Sequence, residues 1–152
     1  MTESLTPDEW AFWHSWTQAQ RLLTQELDRG LQRDSGISKA EFSVLLTLQR
    51  APGHELRVSE LCASLDWEKS RVSHQLTRME NRGFVARTES GTGGRRTRVG
   101  LTAEGDRAAR DAIAGHAGNI RRYFLDTLSP AQAAAIRAWS EQLTERIEPR
   151  EA

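Results

Sequence analysis

Apolar residues recur at helical spacing through Phe12/Trp13, Trp16, Ala19, Leu23, Leu27 and Leu31, which predicts a long first helix ending near Arg33. Thr6-Pro7-Asp8-Glu9 opens it with an N-cap hydroxyl, a proline at the first helical position and a carboxylate at N3. Asp34-Ser35-Gly36 breaks the stripe. Ser38-Lys39-Ala40-Glu41 is a second capping box, and Phe42, Leu45, Leu46 and Leu48 are the expected inward set of the helix it starts. Ala51-Pro52-Gly53 ends that helix. The box pattern carries weight only where the periodicity changes, because Ser15-Trp16-Thr17-Gln18 also fits it inside the first helix.

The stretch from Val58 to Thr102 is organised differently. A short helix to Leu65 directs Leu61 and Leu65 inward, and Cys62 falls where two helices cross and only a small side chain fits. Asp66 takes the turn position, where an aspartate tolerates left-handed backbone. Val72, Leu76 and Met79 then pin a second helix to the core, and Asn81-Arg82-Gly83 ends it on a C-cap glycine. Phe84-Val85-Ala86-Arg87 reads as a strand, Gly91-Thr92-Gly93-Gly94 as a hairpin tip, and Thr97 to Leu101 as the returning strand. Thr102 caps a further helix running to about Leu128, with Ala109, Ile113, Ala117, Ile120, Phe124 and Leu128 as its buried line. Ser129-Pro130-Ala131-Gln132 starts the last helix, with Ile136, Trp139, Leu143 and Ile147 on one side.

The predicted fold class is therefore mainly α, an α+β winged helix. It has six helices, with a two-stranded β-hairpin wing between the fourth and the fifth. The expected division is a single winged-helix chain, 1–152, with a DNA-binding lobe at 37–101 and dimerisation helices at 1–36 and 102–152. Helices of some 25 residues are roughly 38 Å long. The first and fifth outrun any core that the short central segment can make, so a second subunit interleaved across a two-fold axis is the economical cover. A long intramolecular helical hairpin is the alternative.

Composition adds one discriminating feature. The 152 residues contain 21 basic and 21 acidic side chains, so overall charge points to no partner. Its distribution does. From Trp67 to Arg98, eight basic residues (Lys69, Arg71, Arg78, Arg82, Arg87, Arg95, Arg96 and Arg98) face three acidic ones (Glu68, Glu80 and Glu89), a local +5. Residues 1–30 carry a local −3. A basic centre on a neutral chain is the footprint of a localised phosphate-binding face.

On the second helix of the pair, Ser70, Arg71, Ser73, His74, Gln75 and Arg78 are expected to project away from the core. Arginine engages guanine O6 and N7 with two donors, glutamine pairs with adenine N6 and N7, and serine hydroxyls suit phosphate oxygens. Lys69 and Arg82 are assigned to the DNA backbone. His74 is placed on a base or a phosphate, against the alternative of a solvated surface residue. Arg95 and Arg96, just after the tip, are assigned to the neighbouring minor groove, where the negative potential favours arginine; the alternative is that they only screen phosphate charge.

Leu61 and Leu65, then Ser70-Arg71-Val72-Ser73, Arg78-Met79-Glu80-Asn81-Arg82-Gly83-Phe84-Val85 and the return strand Arg95 to Gly105 resemble the MarR family of transcriptional regulators over nearly the whole chain. The resemblance implies a homodimer on a pseudo-palindromic double-stranded operator, with the first, fifth and sixth helices interlocked. Most such proteins repress until a small molecule or an oxidant weakens binding. It also implies an aspartate two residues before Arg95, where this chain has Gly93. Effector pockets of the family lie near the first, second and fifth helices, which makes Trp13, His14, Trp16 and Phe42 candidate contacts for a small aromatic or apolar effector; ordinary core or dimer packing is the competing reading.

The remaining classes are thinly supported. The one cysteine, Cys62, lies away from the N-terminal position of the family's redox sensors and reads as a small core residue. His14, His54, His74 and His116 fall in four elements without metal-ligand spacing. No nucleophile–base pair or phosphate loop appears, so neither an enzyme nor a cofactor is expected. No apolar run is long enough to span a bilayer, and the expected location is the cytoplasm, at the nucleoid. The expectation is a sequence-specific repressor relieved by an organic effector; the alternatives are an activator or a regulator of this fold answering to oxidant or metal.

Overall fold

The computed structural model describes residues 4–89 and 96–148, with side chains for all of these except residue 96. Along the chain run α1 (Pro7–Ser35), α2 (Lys39–Arg50), β1 (Glu55–Arg57), α3 (Val58–Leu65), α4 (Lys69–Asn81), β2 (Val85–Glu89), β3 (Arg96–Leu101), α5 (Ala103–Tyr123) and α6 (Pro130–Ile147). Short 3₁₀ turns at Pro52–His54 and Leu125–Thr127 complete the order. The mainly helical winged-helix architecture is as expected.

Local chemistry explains where the helices start. The Thr6, Ser38 and Ser129 hydroxyls each accept the N3 backbone N–H, and Glu9, Glu41 and Gln132 reach back to the cap N–H. The Thr102 hydroxyl accepts from Gly105 N–H at 3.0 Å and opens α5. At the other end of α1, Gly36 adopts φ 63° and donates to the Gln32 carbonyl, as a left-handed C-cap does.

Three features depart from the expected pattern. Among the described residues the sheet has three strands, in the order β1-β3-β2 and antiparallel throughout, because β1 adds Leu56 opposite Val99 at the open edge of the wing hairpin. Glu55 on β1 accepts a hydrogen bond from Arg98 Nε across that pairing. The fifth helix stops at Tyr123: Phe124 leaves helical backbone, and the Thr127 hydroxyl donates to the Phe124 carbonyl within the 3₁₀ turn. A threonine that bonds nearby backbone competes with the helical ladder in this way. In α2 it is Val44, together with Phe42, Leu45 and Leu48, that is buried, and Leu46 is half-buried.

The chain forms two compact units, one ending at His116 and one beginning at Ala117. In the first, Leu31, Ile37, Val44, Leu45, Leu48, Leu61, Val72, Leu76, Met79, Phe84, Val85, Val99, Ala109 and Ala112 make one core. The start of α5 is seated on this core by a backbone contact: a Cβ on Gly105 would lie 1.9 Å from the Phe84 carbonyl oxygen. Thr102 reinforces the seat, its N–H donating to the Phe84 carbonyl and its hydroxyl to that of Gly83. The second unit contains the end of α5 and α6, and no residue of α6 is buried. Along α1 only Gly30 and Leu31 are buried.

Candidate nucleic-acid interface

The turn between α3 and α4 is built on Asp66, at φ 52° and ψ 43°, the left-handed conformation expected of it. Its N–H donates to the Ala63 carbonyl and that of Trp67 to the Cys62 carbonyl, so the end of α3 is satisfied within the turn. Cys62 is half-buried against the core, as a small packing residue. On α4, Val72, Leu76 and Met79 are fully buried, and this orientation leaves Lys69, Ser70, Arg71, Ser73, His74 and Arg78 exposed.

Gln75 is the exception and corrects the expectation that it projects outward. It is 5% exposed. Its Oε1 accepts a hydrogen bond from Arg78 Nη2 at 3.1 Å. Positions 72, 75, 76 and 79 follow the i, i+3, i+4, i+7 spacing of a single helical face, so Gln75 turns inward with the three apolar residues. What it presents to the outer face is a fixed acceptor for Arg78.

The electrostatics of α4 favour an anion at its first turn. The N-terminal end of a helix carries partial positive charge and unpaired N–H groups. Helices α1, α2, α3 and α5 place acidic side chains in their first turns; α4 has none there and carries Lys69 and Arg71 instead. Its N-cap, Glu68, makes no side-chain hydrogen bond to the helix. Arg71 is held by a different contact, its guanidinium lying over the Trp67 ring 3.9 Å from the centroid.

Among the described basic residues of this segment, Arg82, Arg87 and Arg98 each pair with a carboxylate. Arg82, expected on the DNA backbone, pairs with Glu41, lies 3.3 Å from the Gly36 carbonyl oxygen, and stacks 4.6 Å above the Phe84 ring. It thereby ties the end of α4 to the turn between α1 and α2. Arg87 pairs with Glu80 at 3.3 Å and donates to Thr77 Oγ1 at 3.0 Å. Arg98 pairs with Glu55. Sequence charge alone does not separate these anchored arginines from Arg71 and Arg78.

The wing base is the β2–β3 hairpin, which pairs Val85 with Leu101 and Arg87 with Val99 and carries an irregularity between Thr88 and Glu89. The tip Gly91-Thr92-Gly93-Gly94 and Arg95 lie outside the described residues, as does the side chain of Arg96, whose backbone begins β3.

The four candidate effector contacts are dispersed in the chain. Trp13 and His14 are exposed on α1 and Trp16 is half-buried, whereas Phe42 sits in the core with its ring centroid 4.8 Å from that of His116. His116 was not singled out by spacing. Burial pushes its imidazole below the ordinary histidine value, partly offset by the Asp28 carboxylate, and its Nδ1 is buried without a hydrogen-bond partner among the described residues. Among the described residues no group of three His, Cys, Asp or Glu side chains is placed to hold a metal ion. No helix among them is long and apolar enough to cross a membrane.

A left-handed turn between two short helices, a basic outer face on the second and a hairpin that follows it define a winged helix-turn-helix protein. Residues 35–96 match the model of the MarR family. The HTH-type transcriptional repressor MdtR of Bacillus subtilis is 31% identical over 115 residues, which cover 74% of this chain and 73% of that protein. Two Streptomyces coelicolor MarR-family regulators of known structure are similar along almost the whole chain. AbsC superposes with a TM-score of 0.83 at 30% identity, covering 98% of this chain and 100% of that one. Sco3205, solved in complex with DNA, gives 0.81 at 33% identity, covering 99% and 94%. The chain belongs to the MarR family, whose members are winged-helix transcriptional regulators.

Proposed function

We propose that this protein is a homodimeric, sequence-specific regulator that binds double-stranded DNA, acting as a repressor that a small organic effector releases. The observation that carries the reading is the two-sidedness of α4: Val72, Leu76 and Met79 are buried, and Lys69, Ser70, Arg71, Ser73, His74 and Arg78 stand exposed on the other side. In this reading Arg71 and Arg78 address base edges in the major groove, Lys69 and the serines address phosphates, and His74 touches either. Arg95 and Arg96 enter the adjacent minor groove from the wing. The crystal structure of Sco3205 in complex with DNA supports DNA binding by likeness of fold.

Residues 37–101 serve as the DNA-binding lobe, and 1–36 with 102–152 as the dimerisation helices. Exposed Trp10, Phe12, Trp13 and Leu22 on α1, and Trp139, Leu143 and Ile147 on α6, support pairing through the terminal helices, because large apolar side chains at helical spacing are normally covered. Two copies then present their α4 helices to successive major grooves, about one helical turn apart. The effector is aromatic or apolar, and Trp13, His14, Trp16 and Phe42 contact it in the assembled dimer. The protein works in the cytoplasm, at the nucleoid, and by binding instead of catalysis.

The test uses the non-coding DNA upstream of the protein's own gene as a fluorescent duplex, competed with unlabelled random duplex. Preferential retention of the upstream duplex, with two protomers bound per site, is the expected result. Equal competition by both duplexes rules out a sequence-specific regulator of that region.

A further inference from the structure

We propose that Trp67 is a positioning residue: its indole face holds the Arg71 side chain, whose guanidinium donors have no partner among the described residues, in the orientation used to read DNA. The inference rests on the DNA-reading role proposed above and adds a residue whose part in it is indirect.

Trp67 is rigidly placed from below. It follows the left-handed Asp66, its backbone N–H is bonded to the Cys62 carbonyl at 3.1 Å, and its half-buried side chain packs against the core. It stands one residue before the N-cap Glu68, at the position from which a hydrophobic side chain staples a helix start. Stapling alone asks only for an apolar group. This chain has an indole there, and the guanidinium of exposed Arg71 lies 3.9 Å from its ring centroid.

The manner of holding matters. An arginine anchored by a carboxylate spends its N–H donors on that partner, as Arg82, Arg87 and Arg98 do with Glu41, Glu80 and Glu55. Stacking uses the flat face of the guanidinium and leaves its edge, where all five donors lie, available for a bidentate pair with a guanine. A long side chain already confined over a ring also loses less rotamer freedom on binding than one swinging in solvent. Position sharpens the argument. Arg71 is in the first turn of α4, where the helix dipole repels a cation, and the negative face of the indole offsets that repulsion.

The experiment first selects a duplex from a random-sequence library with the wild-type dimer. Affinities for that duplex and for a scrambled one are then measured for Trp67→Phe, Trp67→Leu and Trp67→Met, alone and combined with Arg71→Ala, with thermal unfolding followed for each. Trp67→Phe keeps a ring and is expected to stay within about twofold of wild type. Trp67→Leu and Trp67→Met keep apolar bulk without a ring and are expected to weaken the selected duplex roughly three- to tenfold while leaving the scrambled one nearly unchanged. The same changes in the Arg71→Ala background are expected to cost nothing further, the signature of action through Arg71. A role in folding alone gives equal losses in both backgrounds, on both duplexes, and overturns the proposal; Trp67→Met, the more adaptable side chain, supplies this comparison if Trp67→Leu does not fold. Arg71→Ala binding the selected duplex as tightly as wild type also overturns it, while leaving the regulator reading standing. Failure of the library to yield any enriched sequence overturns both.

Discussion

Gln75 and Arg78 form a pair in which a buried amide orients an exposed cation: the glutamine Oε1 is fixed by burial, and the arginine Nη2 donates to it at 3.1 Å. Gln75→Leu keeps the apolar volume of the site and removes the acceptor, so unfolding in urea is expected to change by no more than about 1 kcal/mol. Binding to a selected duplex is expected to weaken several-fold because Arg78 loses its orientation, as fluorescence anisotropy would measure. Unaltered binding with unaltered stability would leave the pair without a role. The chemistry of the side chain encouraged an outward assignment, since glutamine is a familiar adenine reader, yet the spacing of Val72, Gln75, Leu76 and Met79 already places it inward. The same limit applies to Arg82, whose partner Glu41 lies 41 residues away in the chain and has no local signal.

Helix starts were the most legible elements, because Thr6, Ser38, Thr102 and Ser129 act on backbone within three residues of themselves. Asp66 was legible for the same reason. Strand β1 was not: three residues with a single inward leucine show no alternation, and the strand exists only because β3 offers it an edge. The close seat of α5 was likewise hidden, since Gly105 is required by a non-local neighbour, the Phe84 carbonyl. Gly105→Ala is therefore expected to cost about 2–3 kcal/mol, or to prevent folding, although alanine is the better helix former. A denaturation midpoint at or above that of wild type would show that α5 sits elsewhere. His116, further along α5, links stability to pH. Its folded value lies below the ordinary 6.5, so the unfolded chain binds the proton more readily. This contribution is complete above about pH 6.5 and is lost progressively as the pH falls from there towards the folded value. His116→Phe is expected to gain stability relative to wild type at pH 5 over pH 8; a difference independent of pH would mean that the imidazole does not titrate in this environment.

At the scale of the whole molecule, the apolar stripes of α1 and α6 were visible in the sequence, and the chain leaves them largely uncovered: Phe12 is 75% exposed and Ile147 69%. If two copies cover each other there, Phe12→Glu and Leu143→Glu, each placing a charge in that contact, are expected to shift sedimentation from dimer to monomer at micromolar concentration. A dimer indifferent to both changes must pair through another surface. The candidate effector residues were less legible, because helical spacing does not separate Trp13, which is exposed, from Phe42, which is buried. The internal engagement of Arg82, Arg87 and Arg98 has a consequence on a different axis, the ionic strength of the medium. Each phosphate neutralised on duplex DNA releases condensed counterions and contributes about −0.9 to the slope of log affinity against log salt concentration. All eight basic residues of the central segment would give a slope near −7 per protomer, whereas Lys69, Arg71, Arg78, Arg95 and Arg96 alone give at most about −4.5. Affinity for the operator should accordingly survive a rise in potassium chloride better than the arginine count of the chain implies.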